Sequence, residues 1–419
     1  MQDERYYNAL NKCSEYGQEH LLRFYDQLNE QERDSLISQI ENIDFKQMEE
    51  LYRQAVSDED IEDLTGRISP INVYVKDRLP GAEVKQCCAI GRELMRSGRY
   101  AVVTMAGGQG TRLGHKGPKG TYDLGLKDFR SLFEIQASRL LKKHEELDVY
   151  IPWYIMTSRE NNAATKAFFE ANDYFGYDKD SIIFFTQCML PMIHADSGKI
   201  VLSEKGKIKE GADGHGGIFR AMAMSGVFDD MTARNIKWIF VCGIDNVLVR
   251  VCDPLLPGFM ETTGNQVGGK SLIKSGPGEK VGVFCKKDGK PYVIEYTEIS
   301  DEMASATDEE GDYIYGDGHI LENIFSLDAM KKLAEAGLSY HKAFKKTEYV
   351  DESGDVITPE GPNAFKFEAF IFDAFNFFND MSILRVSRER EFAPVKNKEG
   401  EDSPDTARAM FTACGEDIY

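Results

Sequence analysis

Tyr100-Ala-Val-Val-Thr-Met105 is a short apolar, β-branched run that stops at Ala106-Gly-Gly-Gln-Gly-Thr-Arg-Leu-Gly114, with Pro118-Lys119 just beyond. A buried strand that empties into bare backbone constrains this chain more than any other feature. Gly107, Gly108 and Gly110 permit positive φ and place no side chain between amide N–H groups and a ligand. Successive N–H groups in such a turn make an anion-binding concavity, read here as a triphosphate cradle over Ala106–Thr111. Arg112 and Lys119 add cations, and arginine suits bidentate contact with phosphate. Two familiar nucleotide templates fail. Gly108-x-Gly110-x-x-x-Gly114 is one residue too long for the dinucleotide fingerprint, which argues against a dinucleotide-dependent oxidoreductase. Gly264-Asn-Gln-Val-Gly-Gly-Lys270-Ser271 fits the P-loop pattern letter for letter. No buried strand precedes it and no helix follows, so it reads as a chance match.

Strand-like and helix-like stretches alternate after residue 100. Tyr150–Thr157, Ile182–Thr186 and Trp238–Ile244 read as further strands. Ser131–His144, a segment capped by Ser158, and Ile218–Gly226 read as helices. That alternation predicts an α/β fold with a mostly parallel sheet covered on both faces, and ligands beyond the carboxyl ends of its strands. Those ends bring further candidates. Gln187 offers an amide toward the edge of a base, or simply a loop hydrogen bond. In Asp213-Gly-His-Gly-Gly217, Gly214 again bares backbone N–H groups, and His215 is either close to a ligand or a turn histidine. Asp245 ends an apolar strand; it either caps the next turn or holds Mg²⁺ together with phosphate oxygens.

Residues 272–300 predict a hairpin turning at Lys287-Asp288-Gly289, Leu327–Ala336 a helix, and Phe367–Phe378 an aromatic helix. Before residue 68 the pattern is helical, as in Leu36, Ile40 and Ile43. The expected organisation is an N-terminal helical arm and connector over 1–98, a central domain over 99–396 and a short tail over 397–419. The net charge, 50 − 70 = −20, repels nucleic acid and anionic membranes, so a polyanionic substrate needs a local basic patch. No apolar stretch approaches the ~20 residues that span a bilayer, and Met1–Lys12 does not read as a secretory signal. The eight cysteines include no CxxC. A cytoplasmic protein with reduced thiols is expected, without nucleic-acid or membrane partners; the oligomeric state stays open.

Taken in order, AGGQGTRLG with PKG, WYIMTS, FFTQCMLP, DGHGG, the strand ending Asp245-Asn246, EYTEIS and APVKN resemble the UDP-sugar pyrophosphorylases. The likeness, over about Tyr100–Arg408, is greatest to the eukaryotic-type UDP-N-acetylhexosamine pyrophosphorylases. It implies a Rossmann-like, glycosyltransferase-A-type central mixed sheet flanked by helices, and the reaction UTP + sugar 1-phosphate ⇌ UDP-sugar + pyrophosphate. By the same resemblance the glycine loop and Lys119 hold the UTP phosphates, with Arg112 nearest the transferring phosphorus. Gln187 and the Gly214 backbone read uracil, and Asp245 binds Mg²⁺. Glu295 touches sugar hydroxyls and Lys396 the sugar-side phosphate; Asn246 and His319 complete that side. Three departures stand out. His215 replaces the asparagine of the N-acetylhexosamine enzymes, Gly318-His319-Ile320 replaces Gly-Asn-Ile, and little chain follows Arg408 where eukaryotic members carry a β domain. N-acetylglucosamine 1-phosphate is the expected sugar substrate, with glucose 1-phosphate, or a catalytically silent UDP-sugar-binding protein, as alternatives.

Overall fold

Tyr100–Met105 forms a strand buried at every position, as an apolar run without polar alternation requires when both faces of a sheet are covered. The computed structural model that shows it describes residues 2–57 and 66–415. Around it, in chain order, lie β1 (Ile68–Ser69), β2 (Tyr74–Val75), β3 (Tyr100–Met105), β4 (Trp153–Thr157), β5 (Ile182–Thr186) and β6 (Trp238–Gly243). They are followed by β7 (Val267–Ile273), β8 (Val283–Lys287), β9 (Lys290–Ile294), β10 (Asp317–Ser326) and β11 (Ser382–Arg385). The spatial order is β2-β11-β7-β10-β6-β3-β4-β5, with the β8–β9 hairpin on β10 and β1 on β8. Neighbours from β6 to β5 pair in parallel. β10 runs antiparallel to both β6 and β7, which makes the sheet mixed, as the resemblance implies.

Helices cover this sheet where the apolar periodicity places them. Leu132–Leu147 starts at Ser131, whose hydroxyl accepts from the Glu134 N–H. Its Phe133 stacks edge-on against Phe169 of helix Asn162–Ala171, and Phe169 in turn packs on Trp153 of β4. The β8–β9 hairpin turns at Asp288 (φ 52°) and Gly289 (φ 81°), the left-handed pair that a two-residue hairpin loop demands. No helix among the described residues is long and apolar enough to cross a membrane.

The chain separates into two compact units, and not at the expected boundaries. The sheet unit takes Gly66–Gln187, Ile218–Leu338 and Ile371–Tyr419. It therefore claims the connector before residue 99 and also the tail, which ends in helix Pro404–Cys414 with Ala407 and Phe411 in the sheet unit's core. The other unit joins the described part of Met1–Thr65 to Cys188–Gly217 and Ser339–Phe370. Its helices Gln2–Glu15, Glu30–Asn42 and Phe45–Val56 bury Leu36, Ile40, Phe45 and Leu51 among Leu190, Ile193, Leu202, Ile208 and Phe367. Residues 58–65, read as part of the helical arm, lie outside the described residues. The expected helix Phe367–Phe378 does not form. Ala364–Glu368 is a strand whose Ala364 and Phe367 are buried, paired with His341–Lys345, and Ile371–Phe377 follows as 3-10 turns. An aromatic run satisfies both periodicities, and here pairing with a distant strand decides.

Candidate active site

The glycine loop leaves the carboxyl end of β3 and is pinned by its carbonyl oxygens. Asn161, buried at the head of helix Asn162–Ala171, donates its Nδ2 to Ala106 O at 2.9 Å and Gly108 O at 3.3 Å. The Gly108 carbonyl also accepts from the Lys119 N–H at 3.0 Å, and Gly110 N–H donates to Gly117 O at 3.0 Å, so the loop doubles back on itself. Gln187 follows β5, its N–H on Thr157 O at 2.8 Å, and its side chain lies against Gly107. A Cβ at Gly107 would fall 2.7 Å from Gln187 Oε1, so glycine is needed there for close approach. Thr111 and Arg112 stand exposed on the short turn Thr111–Leu113, anchored by buried Leu113. Asn161 escaped the sequence reading; its signal was the polar Ser158–Asn161 stretch at the end of β4.

Asp245 follows β6, the neighbour of β3, and its Oδ2 lies 3.5 Å from Lys119 Nζ. The acidic strand end and the basic loop therefore meet. Val395 N–H donates to Asp245 O at 2.9 Å, which fixes the approach of the segment carrying Lys396. Asp245, His319 and Lys396 all line one cavity of about 840 Å³. Lys396 Nζ lies 3.8 Å from Asp402, whose carboxyl burial raises above its ordinary range although Lys396 pulls it down. His319 sits edge-on to Phe284, Phe372 and Phe375, with Nε2 3.1 Å from Asn323 Oδ1. Glu295 lies just past β9 beside Gly282, next to the cavity-lining Val281.

Asn246 is different from its neighbour. It is 6% exposed, and its Nδ2 donates to Glu322 Oε1 (2.7 Å) and Glu391 O (2.8 Å). Its Oδ1 accepts from Leu248 N–H (3.1 Å) and Ala393 N–H (2.9 Å). All four hydrogen-bonding capacities of the amide are used inside the protein, so the expected contact with sugar or phosphate gives way to an internal role. Beneath it lies Lys270, the lysine of the P-loop-like letters. Gly264 there is the left-handed end of helix Leu255–Thr263, and Lys270 itself is a fully buried residue of β7. It hydrogen-bonds Glu391 and reaches Asp253 at 3.0 Å and Glu322 at 3.9 Å. Burial alone would depress the Lys270 pKa, but Asp253, Glu391 and Glu322 raise it above its ordinary value. Burial pushes the Glu322 carboxyl up to about 8 against the pull of Lys270.

Gly214 and His215 belong to the other unit, in the turn after strand Glu210–Ala212. A Cβ at Gly214 (φ 84°) would fall 2.3 Å from Ala369 O, and the His215 ring packs on Phe370 at 5.4 Å. The need for glycine at 214 is thus met by packing within that unit.

Comparison with known proteins follows the same lines. The family model described as UTP–glucose-1-phosphate uridylyltransferase matches residues 44–401. The UDP-N-acetylglucosamine pyrophosphorylase of Saccharomyces cerevisiae is 35% identical over 96% of this chain and 88% of its own. The human UDP-N-acetylhexosamine pyrophosphorylase-like protein 1 is 36% identical over 94% of this chain and 82% of its own. The crystal structure of the uridine diphosphate N-acetylglucosamine pyrophosphorylase of Trypanosoma brucei superposes with a TM-score of 0.84 at 28% identity, covering 98% of this chain and 87% of that one. A strand–glycine-loop cradle, a facing carboxylate and a matching model over most of the sequence place the chain in the UTP–glucose-1-phosphate uridylyltransferase family, as an enzyme of the UDP-sugar pyrophosphorylase type.

Proposed function

We propose that the chain joins UTP to N-acetylglucosamine 1-phosphate, giving UDP-N-acetylglucosamine and pyrophosphate. The observation that carries the reading is the meeting of Lys119, on the phosphate loop, with Asp245, on the wall of the cavity that also holds Lys396. The choice of sugar leans on the names of the yeast and Trypanosoma brucei relatives. A phosphate oxygen of the sugar 1-phosphate attacks the α-phosphorus of UTP in line; the bond to the β-phosphate oxygen breaks and pyrophosphate leaves with its electron pair. Phosphate monoesters are already nucleophilic at neutral pH, so no general base is needed. The protein contributes alignment and charge: the glycine loop and Lys119 hold the UTP phosphates, Arg112 receives charge near the transferring phosphorus, and Lys396 steadies the incoming phosphate. Gln187, packed against Gly107, reads the uracil edge, while His319 and Glu295 border the sugar side.

Among the described residues no group of three or more His, Cys, Asp or Glu side chains could hold a metal by itself. One carboxylate, Asp245, sharing the ion with substrate phosphate oxygens is what this donor set fits for Mg²⁺. Bound there, Mg²⁺ would supply charge neutralisation at the phosphoryl oxygens, with Asp245 as its protein ligand.

The test is pyrophosphate release from UTP and Mg²⁺ with a panel of sugar 1-phosphates. Fastest turnover with N-acetylglucosamine 1-phosphate is expected. Preference for glucose 1-phosphate would correct the sugar, and silence with every sugar would reject the reading.

A further inference from the structure

The site stands on two separate anchorages. The phosphate loop hangs from Asn161 through Ala106 O and Gly108 O. The opposite wall hangs from Asn246. There the segment after β6 and the segment leading to Lys396 cross as a single bridge between Asn246 and Pro394. Two backbone bonds hold the crossing, Val247 N–H to Ala393 O at 3.1 Å and Val395 N–H to Asp245 O at 2.9 Å. The Asn246 side chain ties its own segment to Ala393 N–H and Glu391 O, and reaches β10 through Glu322. Glu391 then binds Lys270 on β7, and Lys76 Nζ at 2.8 Å. Side chains from β7 and β10 therefore converge under one crossing, and the residues on either side of it, Asp245 and Lys396, both face the cavity.

Replacing a buried ion network by apolar side chains is often neutral or stabilising, so stability alone does not account for this one. What it does supply is a fixed distance. We propose that Asn246, Glu322, Lys270 and Glu391 are positioning residues that set the spacing of the Asp245 carboxylate and the Lys396 segment for the transfer step. The proposal rests on the reading of Asp245 and Lys396 given above. Because the phosphate loop is held separately by Asn161, loosening the crossing acts first on the sugar-phosphate side and reaches the nucleotide only through Asp245, 3.5 Å from Lys119. Glu322 acts here through Oε1, which accepts from Asn246 Nδ2, and glutamine keeps an acceptor at that place.

The experiment uses the full chain. Steady-state kinetics give kcat and separate KM values for UTP and sugar 1-phosphate, and calorimetry with UDP reports a folded nucleotide site. Asn246→Ala is expected to lose about 10–100-fold in kcat, the scale of removing a group that orients a metal ligand. Its KM for sugar 1-phosphate should rise more than its KM for UTP, while the UDP affinity holds. Asn161→Ala should do the reverse, weakening UDP and UTP first. Glu322→Ala should follow Asn246→Ala, and Glu322→Gln should recover nearly wild-type kinetics. The proposal is overturned if Asn246→Ala binds UDP normally and keeps wild-type kcat and sugar KM. It is also overturned if KM for UTP rises as much as KM for sugar 1-phosphate, or if Glu322→Gln is as damaged as Glu322→Ala. Should Asn246→Ala not fold, the Glu322 pair decides alone. A wild-type chain that makes no pyrophosphate with any sugar 1-phosphate would instead remove the reading on which the proposal rests.

Discussion

Two stretches of this chain spell glycines followed by a lysine, and they lie in opposite environments. Ala106–Lys119 leaves the carboxyl end of β3, and its lysine is part exposed beside Asp245. Gly264–Ser271 matches a phosphate-binding pattern more literally, yet its lysine is sealed inside β7 among three carboxylates. The lesson is that position relative to the sheet, and not the letters alone, decides what such a lysine can do. A cation at a strand's carboxyl end remains available to a ligand, and one within a central strand is consumed by its neighbours.

Lysine substitutions offer the sharpest way to break that contrast. Lys270→Met leaves buried carboxylates without their cation and should cost about 3–5 kcal/mol in denaturant unfolding. Equal stability to the parent would show that the two lysines are not so different. Lys119→Ala should leave the unfolding midpoint in place while kcat drops about 10²–10³-fold, the scale of losing a donor to transition-state charge. Arg112→Ala should behave alike; pyrophosphate release measures both. Gly107→Ala drives a Cβ to 2.7 Å from Gln187 Oε1, and a roughly tenfold rise in KM for UTP is expected, equal to about one lost hydrogen bond. A pH titration of stability gives the finest signal. Glu322, raised from 4.5 to about 8 in the folded chain, binds a proton that the unfolded chain releases, so its contribution to stability declines as pH rises across that interval. Glu322→Gln should flatten the slope of unfolding free energy over the same range; an unchanged slope would mean that Glu322 is ionised in the fold.

Much of the architecture was legible because it is locally determined. Tyr100–Met105 is apolar throughout, Leu327–Ala336 begins at Ser326, whose hydroxyl accepts from Ala329 N–H, and Asp288-Gly289 has the chemistry of a tight hairpin. The place of the glycine loop at the end of β3 and of Asp245 at the end of β6 was legible for the same reason: strand ends announce themselves. Asn246 was misjudged because three of its four partners, on residues 322, 391 and 393, lie far along the chain, and no spacing in the sequence joins them. Lys270 looked like an accident of letters, and its actual company depends on Asp253, Glu322 and Glu391 arriving from elsewhere. The unit boundaries were missed in the same way. Nothing in Ser339–Phe370 taken alone says that it belongs with the first helices.

That last arrangement has a consequence for synthesis. Arg23 pairs with Glu352, 329 residues later, and the apolar face carrying Leu36 and Ile40 shares its core with Phe367. On the ribosome the opening helices emerge long before those partners exist. Leu190, Ile193, Leu202 and Ile208 reach that core about halfway through synthesis and Phe367 only near its end, so part of the oily surface stays uncovered until then, an interval in which it is open to aggregation and to chaperones.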